Sequence, residues 1–170
     1  VKGESYLIKA NEGYDWPKEK RHEHCNKNYL EETHKIADIA FEHNPSFFPS
    51  HSEIDWARKT RRKIKTKNVV LWSLSGSSVH KVYPWTDNAI ASLLLHRKDV
   101  SIVTVGDGLC ELLEIGWENE PRVITKSGKW SIGKTLAFLP RCDVIVGPET
   151  GVLNAASMLR NHKYVFLSHS

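Results

Sequence analysis

The sequence has no apolar run approaching the roughly 20 residues that a membrane-spanning helix needs. Its first residues, VKGE, contain no apolar signal core, so no export signal is visible there. Cysteine is scarce: Cys25, Cys110 and Cys142 form no CxxC pair, which argues against a disulfide scaffold and fits a reducing compartment. We therefore expect a cytoplasmic protein.

Two common nucleotide-binding fingerprints are also missing. The sequence contains no GxxxxGK[ST], which excludes a P-loop enzyme. The first apolar run is followed by Ser75-Gly76-Ser77-Ser78, which has one glycine and therefore cannot be the GxGxxG of a nicotinamide-dependent dehydrogenase. A nucleotide site in this chain must be built in another way.

The chain has 170 residues, of which 40% are hydrophobic and 26% charged, as in an ordinary globular domain. The positive charge concentrates in residues 58–67, RKTRRKIKTK, which can bind phosphates, RNA or an anionic membrane. The same run can be the solvated end of a helix that opens with a capping box at Ser50–Glu53. The helix end is favoured, because a formal charge of +4 is low for a nucleic-acid-binding domain. No nucleic-acid partner is expected.

Two regions differ in their sequence pattern. Residues 1–67 are irregular, with a predicted helix from Asn28 to His43 and a linker over 44–50. From Asn68, apolar runs alternate with helical patterns, which predicts strands over 69–74, 100–105, 122–125, 143–146 and 164–167 and helices over 86–96, 109–115, 131–139 and 152–159. The fold class is therefore α/β, a Rossmann-like doubly wound parallel sheet of about five strands, with domains 1–67 (mainly helical) and 68–170.

Three loops rich in small or polar residues follow predicted strands, at 74–78, 106–108 and 147–151. In parallel sheets, ligands bind beyond the carboxyl ends of the strands. Small residues let backbone N–H groups approach a phosphate, and Lys81 could add a positive charge. Glu111 or Glu149 could accept hydrogen bonds from ribose hydroxyls. The loops therefore predict a nucleotide or sugar-phosphate site.

A metal site is not expected. His22, His24 and Cys25, with His34 further along, have metal-ligand chemistry, but their spacing lacks the separated pairs of structural zinc sites. Cys110 and Cys142 adjoin apolar segments and are interpreted as buried thiols.

The loops, taken in order, resemble the C-terminal half of the family 9 glycosyltransferases, the heptosyltransferase-like group with the GT-B fold. Four segments carry the resemblance, and the last is the most specific: GSSVHKVYPW over 76–85, VTVGD over 103–107, WSI over 130–132 and CDVIVGPETGVLNAA over 142–156. The resemblance covers about residues 68–170. It implies a half that binds a nucleotide-diphospho-sugar donor, with no cofactor or metal.

The resemblance also implies roles for individual residues. Ser77 and Lys81 would contact the donor diphosphate, beside Gly76 and Ser78. Glu111, after Gly106, would lie near the ribose, and Trp130 would lie at the base. Glu149, Thr150 and Gly151 match the Asp-Thr-Gly loop of the family, and Asn154 stands where many members have histidine. Because Glu149 replaces the family's aspartate and Asn154 its histidine, heptose is not assumed as the sugar.

The function implied by the resemblance is inverting glycosyl transfer onto lipopolysaccharide or a related surface glycan. The acceptor would be a glycan or glycolipid, and ADP is the first candidate nucleotide. The resemblance also leaves open that the protein lies peripherally at the inner membrane. The catalytic base is unassigned, since the family carries it in the acceptor half. Residues 1–67 are expected to be the remnant of that half, so this chain alone should bind a nucleotide diphosphate without turnover. The alternative is a non-catalytic Rossmann-like binding module whose basic run docks on a membrane or nucleic acid.

Overall fold

The computed structural model describes residues 31, 34, 35, 37–40, 46–76 and 81–167. The chain divides into the units Val1–Pro45 and Ser46–Ser170, and every element labelled below lies in the second. The predicted domain boundary after residue 67 stays a prediction.

The predicted helix over 28–43 ends earlier than expected. The described residues Glu31, His34, Lys35 and Ala37 are helical, but Asp38 has a left-handed φ of 57°. The N–H groups of Asp38 and Ile39 donate back to the carbonyls of Lys35 and His34 at 3.3 and 3.0 Å. This bonding pattern closes a helix, and aspartate tolerates the left-handed conformation better than most residues do. The other residues of the prediction lie outside the described ones.

Five parallel strands form one sheet with the order β3-β2-β1-β4-β5. They are β1 (Asn68–Ser73), β2 (Val100–Val105), β3 (Val123–Thr125), β4 (Val144–Pro148) and β5 (His162–Phe166). β1 and β2 are near-continuous apolar runs because helices cover both of their faces. The predicted Rossmann-like α/β class is confirmed.

The helices are α1 (His51–Lys63), α2 (Thr86–His96), α3 (Ile132–Phe138) and α4 (Gly151–Ala156). The predicted helix over 109–115 is instead a 3₁₀ segment, Leu109–Glu114, as short connectors often are. α4 is shorter than predicted. Near its end the Ser157 hydroxyl donates to the Asn154 carbonyl at 2.6 Å, which competes with the backbone hydrogen bonds of a longer helix. Among the described residues, no helix is long and apolar enough to cross a membrane.

α1 confirms the predicted capping box. The Ser50 N–H donates to the Glu53 carboxylate at 2.8 Å, and the Glu53 N–H donates to the Ser50 hydroxyl at 3.3 Å. At the other end, the Arg61 guanidinium donates to the carbonyls of Ile64 (3.1 Å), Thr66 (3.3 Å) and Lys67 (2.7 Å). Arg61 therefore holds the turn into β1 and is not free to bind an external anion.

The core has two layers because alternate residues of each strand face opposite sides of the sheet. Leu71 of β1 packs with Ala57 of α1 and Phe138 of α3 on one side. Trp72 packs with Ile90 of α2 on the other. α1 thus belongs to the same core as the sheet.

Candidate functional site

A cleft of about 430 Å³ opens at the carboxyl ends of β1, β2 and β4. Within the sheet, β2 and β4 are the two neighbours of β1, one on each edge of that strand. The strand order therefore reverses between β1 and β4, which is the switch point where such sheets bind ligands. Of the predicted site residues, the cleft brings together Gly76, Gly106, Trp130, Thr150 and Gly151.

Two hydroxyl groups meet between β1 and β4. Ser73 Oγ lies 3.3 Å from Thr150 Oγ1, and both side chains are buried while bordering the cleft. Thr150 also caps α4, since its hydroxyl accepts the Leu153 N–H at 3.4 Å. Thr150 was predicted from the sequence, whereas Ser73 was not, because its only signal is a hydroxyl at the end of an apolar strand.

Lys81 lies beside the cleft and does not line it. Its ammonium donates to the main-chain carbonyl of Glu149 at 2.9 Å, which ties the loop after β1 to the loop after β4. Gly76 leaves room for the Lys81 side chain to reach that carbonyl, because a Cβ at position 76 would lie 2.6 Å from Lys81 Cδ. The predicted residues Ser77 and Ser78 lie outside the described residues. Their contact with a diphosphate stays a prediction, as does that of Lys81.

The acidic side chain that borders the cleft is Asp107, at the end of β2. Hydrogen bonds from the Cys110 side chain and from the Cys110 N–H, at 3.1 Å, lower the pKa of Asp107, so it is an anion at neutral pH. Glu111 does not line the cleft. Its carboxylate lies against Gly128, where a Cβ would overlap it. Asp107 belongs to one of the predicted site loops, but the sequence pattern favoured Glu111 for the acidic role. The place of Glu111 near a ribose stays a prediction.

Trp130 borders the cleft and is also packed from behind. Its ring makes edge contacts with Trp56 at 4.8 Å and with Phe138 at 5.0 Å between centroids. Ser131 caps α3, as predicted, by accepting the Lys134 N–H at 3.3 Å. Trp56 therefore holds Trp130 from α1, although no sequence motif links Trp56 to the site.

Glu149, in the loop after β4, and Asn154, on α4, were predicted as site residues but do not line the cleft. Asn154 is exposed on α4, and Glu149 meets Lys81 through its main-chain carbonyl. Cys110 and Cys142 are buried free thiols, as predicted. Burial raises the pKa of Cys110 to about 11 and that of Cys142 further.

Metal-ligating side chains do not gather in the part of the chain that the structure describes, where no group of three or more His, Cys, Asp or Glu could hold an ion. His22, His24 and Cys25 lie outside that part. The expectation that this chain has no metal site stays a prediction.

No protein-family model matches the sequence, and no curated protein matches it. Solved structures do match the fold. The glycosyl transferase family 9 structure from Veillonella parvula DSM 2008 has a TM-score of 0.60 and 14% identity, covering 80% of this chain and 46% of that one. ADP-heptose lps heptosyltransferase II of E. coli has a TM-score of 0.57 and 14% identity, covering 71% of this chain and 39% of that one. The fold is therefore that of the matched parts of two glycosyltransferases, and the chain spans less than half the length of either.

Proposed function

We propose that this chain supplies the donor-binding part of an inverting glycosyltransferase that takes a nucleotide-diphospho-sugar and acts on lipopolysaccharide or a related surface glycan. The observation that carries the proposal is the cleft at the β1–β4 switch point, bordered by Gly76, Thr150 and Trp130. The fold around the cleft supports a transferase, since both matched structures are glycosyltransferases. Its volume falls in the range of small-ligand sites.

The diphosphate would lie against the loops after β1 and β4. Ser73 and Thr150 bring two hydroxyl groups to this end of the cleft. Gly76 lines this end of the cleft, and the side chain of Lys81 packs against it with its ammonium at the Glu149 carbonyl. Hydroxyl, amide and ammonium donors together are what a diphosphate requires.

The nucleoside would lie toward β2 and α3. Trp130 offers an aromatic surface that other aromatic rings hold in place, which suits a planar base. Asp107 brings a carboxylate to the same side of the cleft. The cleft thus has one end suited to phosphates and another suited to a nucleoside.

Inverting transfer forms a bond between the acceptor oxygen and the anomeric carbon while the bond from that carbon to the diphosphate breaks. A base takes the acceptor proton, and the leaving nucleoside diphosphate gains negative charge. Lys81 and the Thr150 hydroxyl would stabilise that charge. We assign no base among the described residues, and we place it in an acceptor half supplied by other residues. This chain alone is then expected to bind donor nucleotides without turnover.

Isothermal titration of the chain with ADP, UDP and GDP tests the proposal, with Gly151→Trp as the blocking variant. Gly151 lines the cleft and a Cβ there meets no atom within 4 Å, so a bulky side chain at this position starts from open space at the site. The matched control is Gly108→Trp, because a Cβ there also meets nothing and Gly108 does not line the cleft. We expect binding of at least one nucleotide, lost in Gly151→Trp and kept in Gly108→Trp.

Failure of all three nucleotides to bind the folded chain would contradict the proposal. Binding that Gly151→Trp leaves unchanged would move the site elsewhere and contradict it as well. Turnover of a nucleotide sugar by this chain alone would overturn the placement of the base.

A further inference from the structure

Glu114, at the end of the 3₁₀ segment Leu109–Glu114, is 6% exposed. Among the described residues it is the only acidic side chain that is buried. A carboxylate out of water is costly unless hydrogen bonds replace its hydration. Its surroundings must therefore supply donors.

Four donors converge on one oxygen, Oε1 of Glu114. The hydroxyls of Thr104 and Ser127 donate at 2.6 and 2.7 Å, and the N–H groups of Lys126 and Ser127 donate at 3.1 and 3.0 Å. Thr104 belongs to β2, whereas Lys126 and Ser127 follow β3. One carboxylate oxygen thus joins the 3₁₀ segment, the end of β2 and the turn after β3.

Of the three segments joined by Glu114, the end of β2 reaches the cleft lining directly, at Val105 and the following Gly106. The turn is bonded directly to the loop after β2, since the Gly128 N–H donates to the Gly106 carbonyl at 3.0 Å. Gly106 lines one wall of the cleft, and Trp130, two residues beyond Gly128, lines another. The turn therefore connects the Gly106 loop to the chain segment that leads into Trp130.

We infer that Glu114 is a positioning residue for the nucleoside end of the cleft: it touches no ligand and fixes the distance between the Gly106 loop and Trp130. This inference rests on the proposed function. It assigns Glu114 no part at the diphosphate end, because Gly76 and Thr150 lie on the loops after β1 and β4. Removing the carboxylate should weaken binding of the nucleoside and leave binding of the phosphates unchanged.

The experiment titrates wild-type chain, Glu114→Ala and Glu114→Gln with ADP, UDP, GDP and inorganic pyrophosphate. We expect Glu114→Ala to weaken the nucleotide that binds best by about tenfold or more, while pyrophosphate affinity stays within about twofold. Glu114→Gln keeps a carbonyl oxygen for the four donors and should restore nucleotide affinity to within about threefold. The matched control is Glu118→Ala, which removes an exposed carboxylate whose donor is the Gly116 N–H.

Because Glu114→Ala leaves buried donors without an acceptor, it can fail to fold. Ser127→Ala then serves as the milder variant, since it removes only the 2.7 Å hydroxyl donor, and it should show the same selective loss at smaller size. Unchanged nucleotide affinity in these folded variants would overturn the inference. An equal loss of pyrophosphate affinity would also overturn it, because the carboxylate would then support the whole fold. A wild-type chain that binds no nucleotide would instead contradict the proposed function on which the inference rests.

Discussion

The Lys81 ammonium is bonded to the main-chain carbonyl of Glu149 at 2.9 Å, across the switch point of the sheet. The two residues are 68 positions apart, and they meet because β4 pairs directly with β1. A positive charge is thereby held between the two loops proposed to bind a diphosphate.

Lys81→Met removes this charge and keeps most of the aliphatic side chain. We expect nucleoside diphosphate affinity to fall by about ten- to a hundredfold, the size of a lost hydrogen bond to a charged group. Lys98→Met is the control, because Lys98 is exposed and precedes β2 at the opposite end of the strands. Calorimetric titration measures both, and equal affinities in the two variants would exclude Lys81 from the site.

Gly147→Ala is expected to destabilise the fold. A Cβ at Gly147 would lie 2.7 Å from the Ser73 carbonyl oxygen and 2.8 Å from Ser73 Cβ, so β1 and β4 would have to separate. Overpacking of this kind costs about 1–3 kcal/mol. Gly151→Ala adds a Cβ that meets nothing and should change the free energy of unfolding by less than about 0.5 kcal/mol. Urea denaturation compares the two, and equal stabilities would refute the close approach.

Trp56→Ala is expected to lower the free energy of unfolding by about 2–4 kcal/mol, since it removes a large ring packed on Trp130 and Phe138. Trp85→Ala removes an indole that is 62% exposed and should have little effect. Trp56→Phe should recover part of the loss. A loss confined to about 0.5 kcal/mol in Trp56→Ala would show that the Trp56 ring does not support Trp130 and Phe138.

Cys110 is expected to resist thiol reagents at neutral pH. Burial is the main cause that raises its pKa to about 11, and the thiolate is the reactive form. The pKa of Cys110 in the folded chain lies above the ordinary pKa of a thiol. Neutral Cys110 therefore contributes in full to the free energy of unfolding below that ordinary pKa, and the contribution is lost as the pH rises toward 11.

Labelling with a disulfide reagent between pH 7 and 10 checks this in a Cys25→Ser background. Addition of urea at pH 7 is the positive control, since unfolding exposes both remaining thiols. Rapid labelling of Cys110 in the folded chain at pH 7 would contradict its burial.

Most of the sheet could be predicted from the sequence because its signals are local. The apolar runs gave β2 and α2 with the observed bounds, and Ser50 and Ser131 marked helix starts through capping chemistry. The length of α4 and the 3₁₀ form of Leu109–Glu114 escaped prediction. The Ser157 hydroxyl bonds to the Asn154 carbonyl near the end of α4, and the Cys110 N–H bonds to the Asp107 carboxylate near the start of the 3₁₀ segment. Hydrophobic periodicity reports neither bond.

The sequence by itself determined that the chain is an α/β protein, and that loops of small residues follow three of its strands. Tertiary structure alone decided which side chains line the cleft and which ones support its lining from behind. Ser73 meets Thr150, Trp56 packs on Trp130, and Glu114 joins β2 to the turn after β3. The reason is physical: strand order and burial bring together residues that are far apart in the chain, and a local pattern carries no record of that order. The same geometry brought Asp107 into the cleft lining and left Glu111 out of it.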